Sequence, residues 1–337
     1  MNLDNLEKIL EKEPKYRQKQ ANSAIFSNLI ENWQDASFFS LELRQELNRE
    51  CGLSIRAEIF DSKTKDSVKA RITLKDGLKI ESVLMRHSDG RNTVCVSCQV
   101  GCALGCQFCA TGQMGFKRNL DYFEIIEQVL FFARQLKKTD NRISNIVFMG
   151  MGEPFLNYEN VLKAIRILNH KDCFNIGARN ISISTAGIID GIKNLSKESL
   201  QINLAVSLHA PNDKLRTRIM PINKKYSIGQ ILETADEYIK ITKRKVMFEY
   251  LLIKDVNDSA QCAEELAKLM LKPLYFLNLI SYNSTGKFQP SSIKRTAEFK
   301  NVLRKFGINF SQRYKFGEDI KAACGQFAIL SNNKNDE

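Results

Sequence analysis

The chain has 337 residues, 43% of them hydrophobic, which is enough for one large α/β domain with a smaller attachment. Fifty Lys and Arg against 38 Asp and Glu leave a formal net charge of +12, which favours a polyanionic partner such as nucleic acid over a merely basic surface. Residues 1–20 lack the apolar run of a secretory signal, and no stretch approaches the ~20 apolar residues of a membrane helix, so no membrane association and a cytoplasmic location are expected.

In chain order, residues 1–60 repeat apolar positions at helical spacing and predict a small helical module. Residues 61–92 predict a β-hairpin linker, because period-two alternation over 66–86 is broken by Asp76-Gly77, a turn pair. A core over 93–327 and a polar tail over 328–337 complete the division.

The core opens on cysteines. The chain has nine, an odd number, and five of them fall within residues 95–109. Such crowding is unlike a disulfide framework and like a metal or catalytic site in a reducing compartment. Three residues separate Cys102 from Cys106, and two separate Cys106 from Cys109, so three thiolates share one short loop. An iron–sulfur cluster normally takes four thiolates. Three therefore leave one iron of a [4Fe–4S] cluster open, and S-adenosylmethionine (SAM) can chelate it through its amino and carboxylate groups. A zinc site completed by Cys95 or Cys98 is the alternative. Cys51, Cys173 and Cys262 carry no motif and are expected as small buried side chains.

From about residue 120, apolar runs alternate with helical stretches: NIVFMG, NISIST, INLAVSL, VMFEYLLI, LYFLNLI and INFSQ. That rhythm predicts parallel βαβ units, whose active residues lie beyond the strands' carboxyl ends. Gly150, Gly152 and Glu153 follow the first run, Ser184 ends the second, and Ser207, Leu208 and His209 end the third. Glycines there would let backbone approach a ligand, and Glu153 can accept from an amine. Lys117, Arg118, Arg216, Arg218, Lys224 and Lys225 are candidate phosphate contacts.

Together, Cys95-Val-Ser, GCALGCQFCATGQMGF, FMGMGEP, SLHAPND with MPINKKY, and GEDIKAACGQ closely resemble the radical SAM rRNA adenine methyltransferases of the RlmN/Cfr family, with matching segments over about residues 81–327. The resemblance implies an α/β fold, a partial (β/α)6 radical SAM barrel with a small N-terminal helical accessory domain. It implies methylation at C2 of the peptidyl-transferase-centre adenine of 23S rRNA, with an anticodon-loop adenine of tRNA as a second candidate. Pro154 and the following Phe-Leu-Asn resemble this C2 branch better than the C8-methylating Cfr branch. A zinc-stabilised RNA-binding protein without catalysis is the rival from another class.

Carried over residue by residue, the resemblance implies cluster ligands Cys102, Cys106 and Cys109. It implies SAM contacts at Gly152, Glu153, Ser184, Ser207, Leu208, His209 and Asn283. It further implies two SAM per turnover, a monomer, and an electron donor such as flavodoxin or ferredoxin. Cys324 matches the cysteine that is methylated, Cys95 the one that later forms a transient disulfide with it, and Glu81 the proton acceptor. Cys98 sits where many members carry a small hydroxyl residue, and it is expected as a bystander because the ligand triad is complete without it. The chemistry needs a carrier: C2 lies between two ring nitrogens and is too electron-poor to displace the SAM methyl group itself, whereas a thiolate can.

Overall fold

The computed structural model describes residues 1–314, 316–317 and 319–327, and the expected tail over 328–337 lies outside them. Three helices open the chain: α1 (Leu3–Leu10), α2 (Tyr16–Asn22) and α3 (Leu41–Glu50). The side chains of Asn2 and Ser40 accept the Asn5 and Leu43 N–H groups, supplying acceptors that a first helical turn lacks. Trp33 is fully buried between these helices and donates its Nε1–H to the Cys51 carbonyl at 3.0 Å.

Twelve strands follow: β1 (Arg56–Asp61), β2 (Ser67–Thr73), β3 (Lys79–Arg86), β4 (Asn92–Cys95), β5 (Gln99–Gly101), β6 (Phe116–Asn119), β7 (Asn145–Phe148), β8 (Ile181–Thr185), β9 (Asn203–Ser207), β10 (Val246–Leu252), β11 (Tyr275–Ser281) and β12 (Phe310–Gln312). Ten form one sheet in the order β1-β2-β3-β4-β7-β8-β9-β10-β11-β12, and β5 pairs β6 separately. Every pair from β4 to β12 is parallel. The linear order leaves the sheet unclosed, as in a partial barrel, and the three-residue β12 is a short seventh strand beyond the expected six. All six apolar runs identified in the sequence form β7 to β12, because strands covered on both faces read as continuous apolar segments.

Crossovers use α5 (Tyr122–Lys137), α6 (Tyr158–Asn169), α7 (Ile189–Ser196), α8 (Asp213–Ile219) with α9 (Ile228–Thr242), α10 (Ala260–Leu269) and α11 (Ile293–Lys305), while α4 (Ala110–Gln113) is a single turn after Cys109. A capping box of Asp121 and Glu124 starts α5. That helix also carries the N-terminal module: Arg134 donates to the Leu53 carbonyl at 2.9 Å and Lys137 to the Asn28 carbonyl at 2.7 Å.

The expected boundaries shift. Strand β1 begins at Arg56, so the helical part ends before residue 60. The β2–β3 hairpin forms around Gly77 at φ +81°, yet it does not act as a linker. Ladder bonds from β3 to β4 make the three antiparallel strands part of the barrel sheet.

Candidate active site

At the carboxyl ends of the parallel strands lies a cavity of about 150 Å³ lined by Cys102, Cys106, Cys109, Gly152, Glu153, Ser184, Ser207 and His209. The loop after β4 therefore meets the ends of β7, β8 and β9, as the strand-end motifs led one to expect. Phe108 packs edge-on against His209 with ring centroids 4.9 Å apart, joining the cysteine loop to β9.

Glu153 is buried, and burial pushes its carboxyl up to about 7. Its Oε2 accepts the Ala186 N–H at 2.7 Å and its Oε1 the Phe155 N–H at 3.1 Å, so the carboxylate ties β7 to β8. His209 has φ +58°, and its Nδ1 accepts the Leu251 N–H at 3.1 Å, which leaves Nε2 as the protonated nitrogen. Burial, helped by Arg216, depresses the imidazole to about 3.

The glycines also have a packing role. A Cβ at Gly150 would lie 2.7 Å from the Val96 carbonyl oxygen, and one at Gly152 would lie 2.5 Å from the Gln99 Cβ. Their missing side chains let the β7 loop pack against the loop after β4, while both glycines line the cavity. Leu208 differs from expectation. It is fully buried, lines neither cavity, and uses its N–H and carbonyl on Glu249 and Arg216.

Arg216, a candidate phosphate contact by sequence, is fully buried. Its guanidinium donates to the carbonyls of Ala186, Ser207, Leu208 and Tyr226 and to Asn223 Oδ1, at 2.7 to 3.3 Å. Those loop carbonyls would otherwise be orphaned, so the residue frames the cavity instead of reaching solvent. Arg118 is also committed, to Glu124 at 2.7 Å and Asp76 at 2.7 Å.

A second cavity, of about 480 Å³, runs inside the sheet and is lined by Cys95, Asn283 and residues of β4, β7, β8, β10, β11 and β12. Met149, Ile280, Arg313 and Cys324 line both cavities and so form the wall between them. Cys95 is buried and Cys324 exposed, and both are free thiols. Burial first, and then proximity to Cys324, push the Cys95 thiol up. Asn283 is buried with an Oδ1 that has no hydrogen-bond partner among the described residues, which fits a group made to meet a ligand.

Glu81 lines neither cavity. Its carboxylate is buried 3.3 Å from Lys69 Nζ and 3.8 Å from Arg71 Nε, on β3, two residues from the Val83 that pairs with Cys95. Cys98 is buried, its thiol directed at the Met151 carbonyl. Cys51 is buried as expected, whereas Cys173 and Cys262 are only half-buried.

Sequence inspection missed Glu249 and Arg313. Glu249 Oε1 accepts from Arg313 at 3.2 Å, and its Oε2 accepts from Ser184 Oγ at 2.6 Å. A lone carboxylate inside the apolar strand VMFEYLLI was the available signal, since such a residue is seldom buried without a partner.

The three thiols fit a cluster better than a single ion. Burial raises all three thiols, Cys102 to about 12, with the other loop cysteines adding to the shift at Cys102 and Cys106. Among the described residues no three His, Cys, Asp or Glu side chains are grouped as around one metal ion. Thiolates around zinc sit about 2.3 Å from one centre, whereas cluster ligands each bind a different iron and stand farther apart.

The Radical SAM superfamily model matches residues 96–270. A probable dual-specificity RNA methyltransferase RlmN of Dictyoglomus turgidum is 44% identical over 320 residues, covering 94% of this chain and 92% of that one. The ribosomal RNA large subunit methyltransferase N of Nitrosopumilus maritimus is 42% identical over 323 residues, with 93% and 92% covered. A crystal structure of a radical SAM methyltransferase from Sphaerobacter thermophilus superposes with a TM-score of 0.93 at 41% identity, covering 97% of both chains. The cysteine loop at the head of a parallel open barrel and these full-length similarities together show that the chain belongs to the radical SAM superfamily and, within it, to the RlmN family of methyltransferases.

Proposed function

We propose that this chain is a cytoplasmic, monomeric RNA methyltransferase that places a methyl group on C2 of the peptidyl-transferase-centre adenine of 23S rRNA and of an anticodon-loop adenine of tRNA. The observation that carries the proposal is the position of Cys324, on the wall common to the cysteine-loop cavity and the larger lumen cavity that also contains Cys95. A carrier must face the methyl donor on one side and the base on the other.

In this reading Cys102, Cys106 and Cys109 hold a [4Fe–4S] cluster, and Gly152, Glu153, Ser184, Ser207, His209 and Asn283 hold SAM. Cys324 takes the methyl group of a first SAM by nucleophilic displacement. A cluster bound there would supply, from a donor such as flavodoxin or ferredoxin, the electron for reductive cleavage of a second SAM, the chemistry that activates the methyl group for addition to C2. Once the adduct has given back one electron, the C2 proton leaves to a base, the role that the resemblance gives to Glu81, whose carboxylate must turn from Lys69 toward the lumen to take it. The Cys95 thiolate then attacks the Cys324 sulfur, forming a disulfide and releasing the methylated base. The adenine reaches the lumen cavity by leaving its stack, and residues before β1 are assigned as the accessory RNA-binding module.

Variants of the two cysteines separate the steps. Cys95→Ala should still load Cys324 and join it to RNA, so a covalent protein–RNA species accumulates as a slow band on a denaturing gel. Adding Cys324→Ala should abolish the band. Normal turnover by Cys95→Ala, or a band that survives without Cys324, would sink the two-cysteine mechanism, and nucleoside mass spectrometry showing a C8 methyl group would assign the other branch.

A further inference from the structure

Arg313 follows β12 and is half-buried, its side chain 32% exposed. Its backbone N–H donates to the Leu279 carbonyl at 2.9 Å, which fixes the root of the side chain to β11. Its Nη1 lies 3.2 Å from Glu249 Oε1 and 3.7 Å from Cys324 Sγ, while Nη2 lies 3.0 Å from Met149 Sδ. Glu249 is held in turn by Ser184 Oγ at 2.6 Å, and Ser184 Oγ is 3.5 Å from Ser207 Oγ. A polar chain thus runs from the strand ends of the cysteine-loop cavity to the sulfur of Cys324.

We propose that Arg313 is the positioning residue for the methyl-accepting sulfur: anchored on Glu249, its guanidinium holds the Cys324 sulfur at the wall between the two cavities and presents a fixed cation to it. The proposal rests on the assignment of Cys324 as methyl carrier. Cys324 is otherwise poorly confined, being exposed in a segment without helix or strand. A guanidinium cannot accept a proton, so it acts only as a fixed cation, and the thiol proton leaves to solvent. Charge complementarity is consistent with this: burial opposes the Arg313 charge, but Cys324, Glu249 and Cys95 together raise its pKa.

The balance of the transfer gives the contact a second consequence. Sulfur–carbon bond formation at Cys324 breaks the bond between the methyl group and the sulfonium sulfur of SAM, which keeps the electron pair and leaves as S-adenosylhomocysteine. The thiolate becomes a neutral thioether. Arg313 then loses its electrostatic hold on that sulfur while keeping Glu249, so the loaded side chain is released to move toward the base at the moment it is charged with methyl.

The test is alkylation of the cluster-loaded protein by iodoacetamide at fixed neutral pH, followed by peptide mass spectrometry, with half-buried Cys262 as the internal reference. Arg313→Gln should slow Cys324 alkylation about tenfold and leave Cys262 and the melting temperature unchanged. Arg313→Lys should restore at least half of the rate, because an ammonium supplies the cation though not the fork. Rates for Cys324 within twofold of wild type in both variants would overturn the proposal, as would equal losses for Lys and Gln. If Arg313→Gln does not fold, Arg313→Met takes its place and is read against Arg313→Lys by the same criteria. Alkylation involves neither RNA nor SAM, so failure of the methylation scheme would show separately, as an absence of methyl on Cys324 after incubation with SAM.

Discussion

His209 shows how a residue found by motif can serve the site through its backbone geometry. Its left-handed φ turns the chain at the end of β9, its carbonyl accepts from Asn257 Nδ2 at 2.7 Å, and its ring accepts from Leu251. The imidazole must be neutral for that last bond. Since burial depresses its pKa from 6.5 to about 3, the unfolded chain binds a proton that the folded chain refuses as pH falls below 6.5. The His209 contribution is therefore present above pH 6.5 and lost on acidification. Relative to His209→Gln, the wild type should lose about 2 kcal/mol of stability between about pH 6.5 and pH 5. Urea denaturation of both proteins at the two pH values checks this, and a constant difference would contradict the neutral assignment. At this scale the motif residues of the cysteine loop and strand ends were legible, because their chemistry is in their type and spacing. Arg216 was not: residue type gives its charge, but only the fold shows that it is buried with five acceptors around its guanidinium.

Strand and loop ends impose tighter limits than the motifs themselves reveal. Gly191 lies in α7, and a Cβ there would come 2.3 Å from Phe155 Cγ, on the turn that follows Glu153. Gly191→Ala should gain helix propensity of about 1 kcal/mol and lose more to overpacking, for a net cost of about 1–2 kcal/mol. Because Phe155 shifts together with the turn, SAM affinity should also fall. Gly229→Ala in α9, where the nearest atom is 4.0 Å away, should be neutral or stabilising. Denaturant midpoints and SAM titrations of the two variants distinguish packing from propensity, and equal behaviour would contradict the clash. The six parallel strands after the cysteines were legible from apolar runs. Strand β1 was not, because its residues alternate only between half-buried and exposed. Nor was β4, whose Asn92 and Thr93 are buried by bonds to Arg142 and His87 that no local pattern encodes. The wall formed by Arg313 and Cys324 needed the fold as well, since it joins β12 to a loop eleven residues later.

For the whole molecule, the net charge of +12 has to be found on the surface before it can act on RNA. Two sequence candidates are removed from that role, Arg216 by burial and Arg118 by its carboxylate partners. Lys117, Arg218, Lys224 and Lys225 remain exposed, and Arg218, Lys224 and Lys225 lie on or just after α8, next to the β9 end of the site. Cations there would bind phosphates and release counterions, so affinity for an rRNA fragment should fall as salt rises. Four such contacts correspond to a slope of about −3 in log affinity against log salt, or about 60-fold between about 50 and 200 mM. Lys224→Glu with Lys225→Glu should flatten the slope by roughly two contacts while leaving Cys324 methylation from SAM alone intact, because neither lysine lines a cavity. Fluorescence anisotropy over a salt series measures both slopes. A flat wild-type dependence would mean that the charge excess does not meet a phosphate backbone, and with it the RNA substrate itself would be in question, whereas an unchanged slope in the double variant would only move the contact surface away from α8.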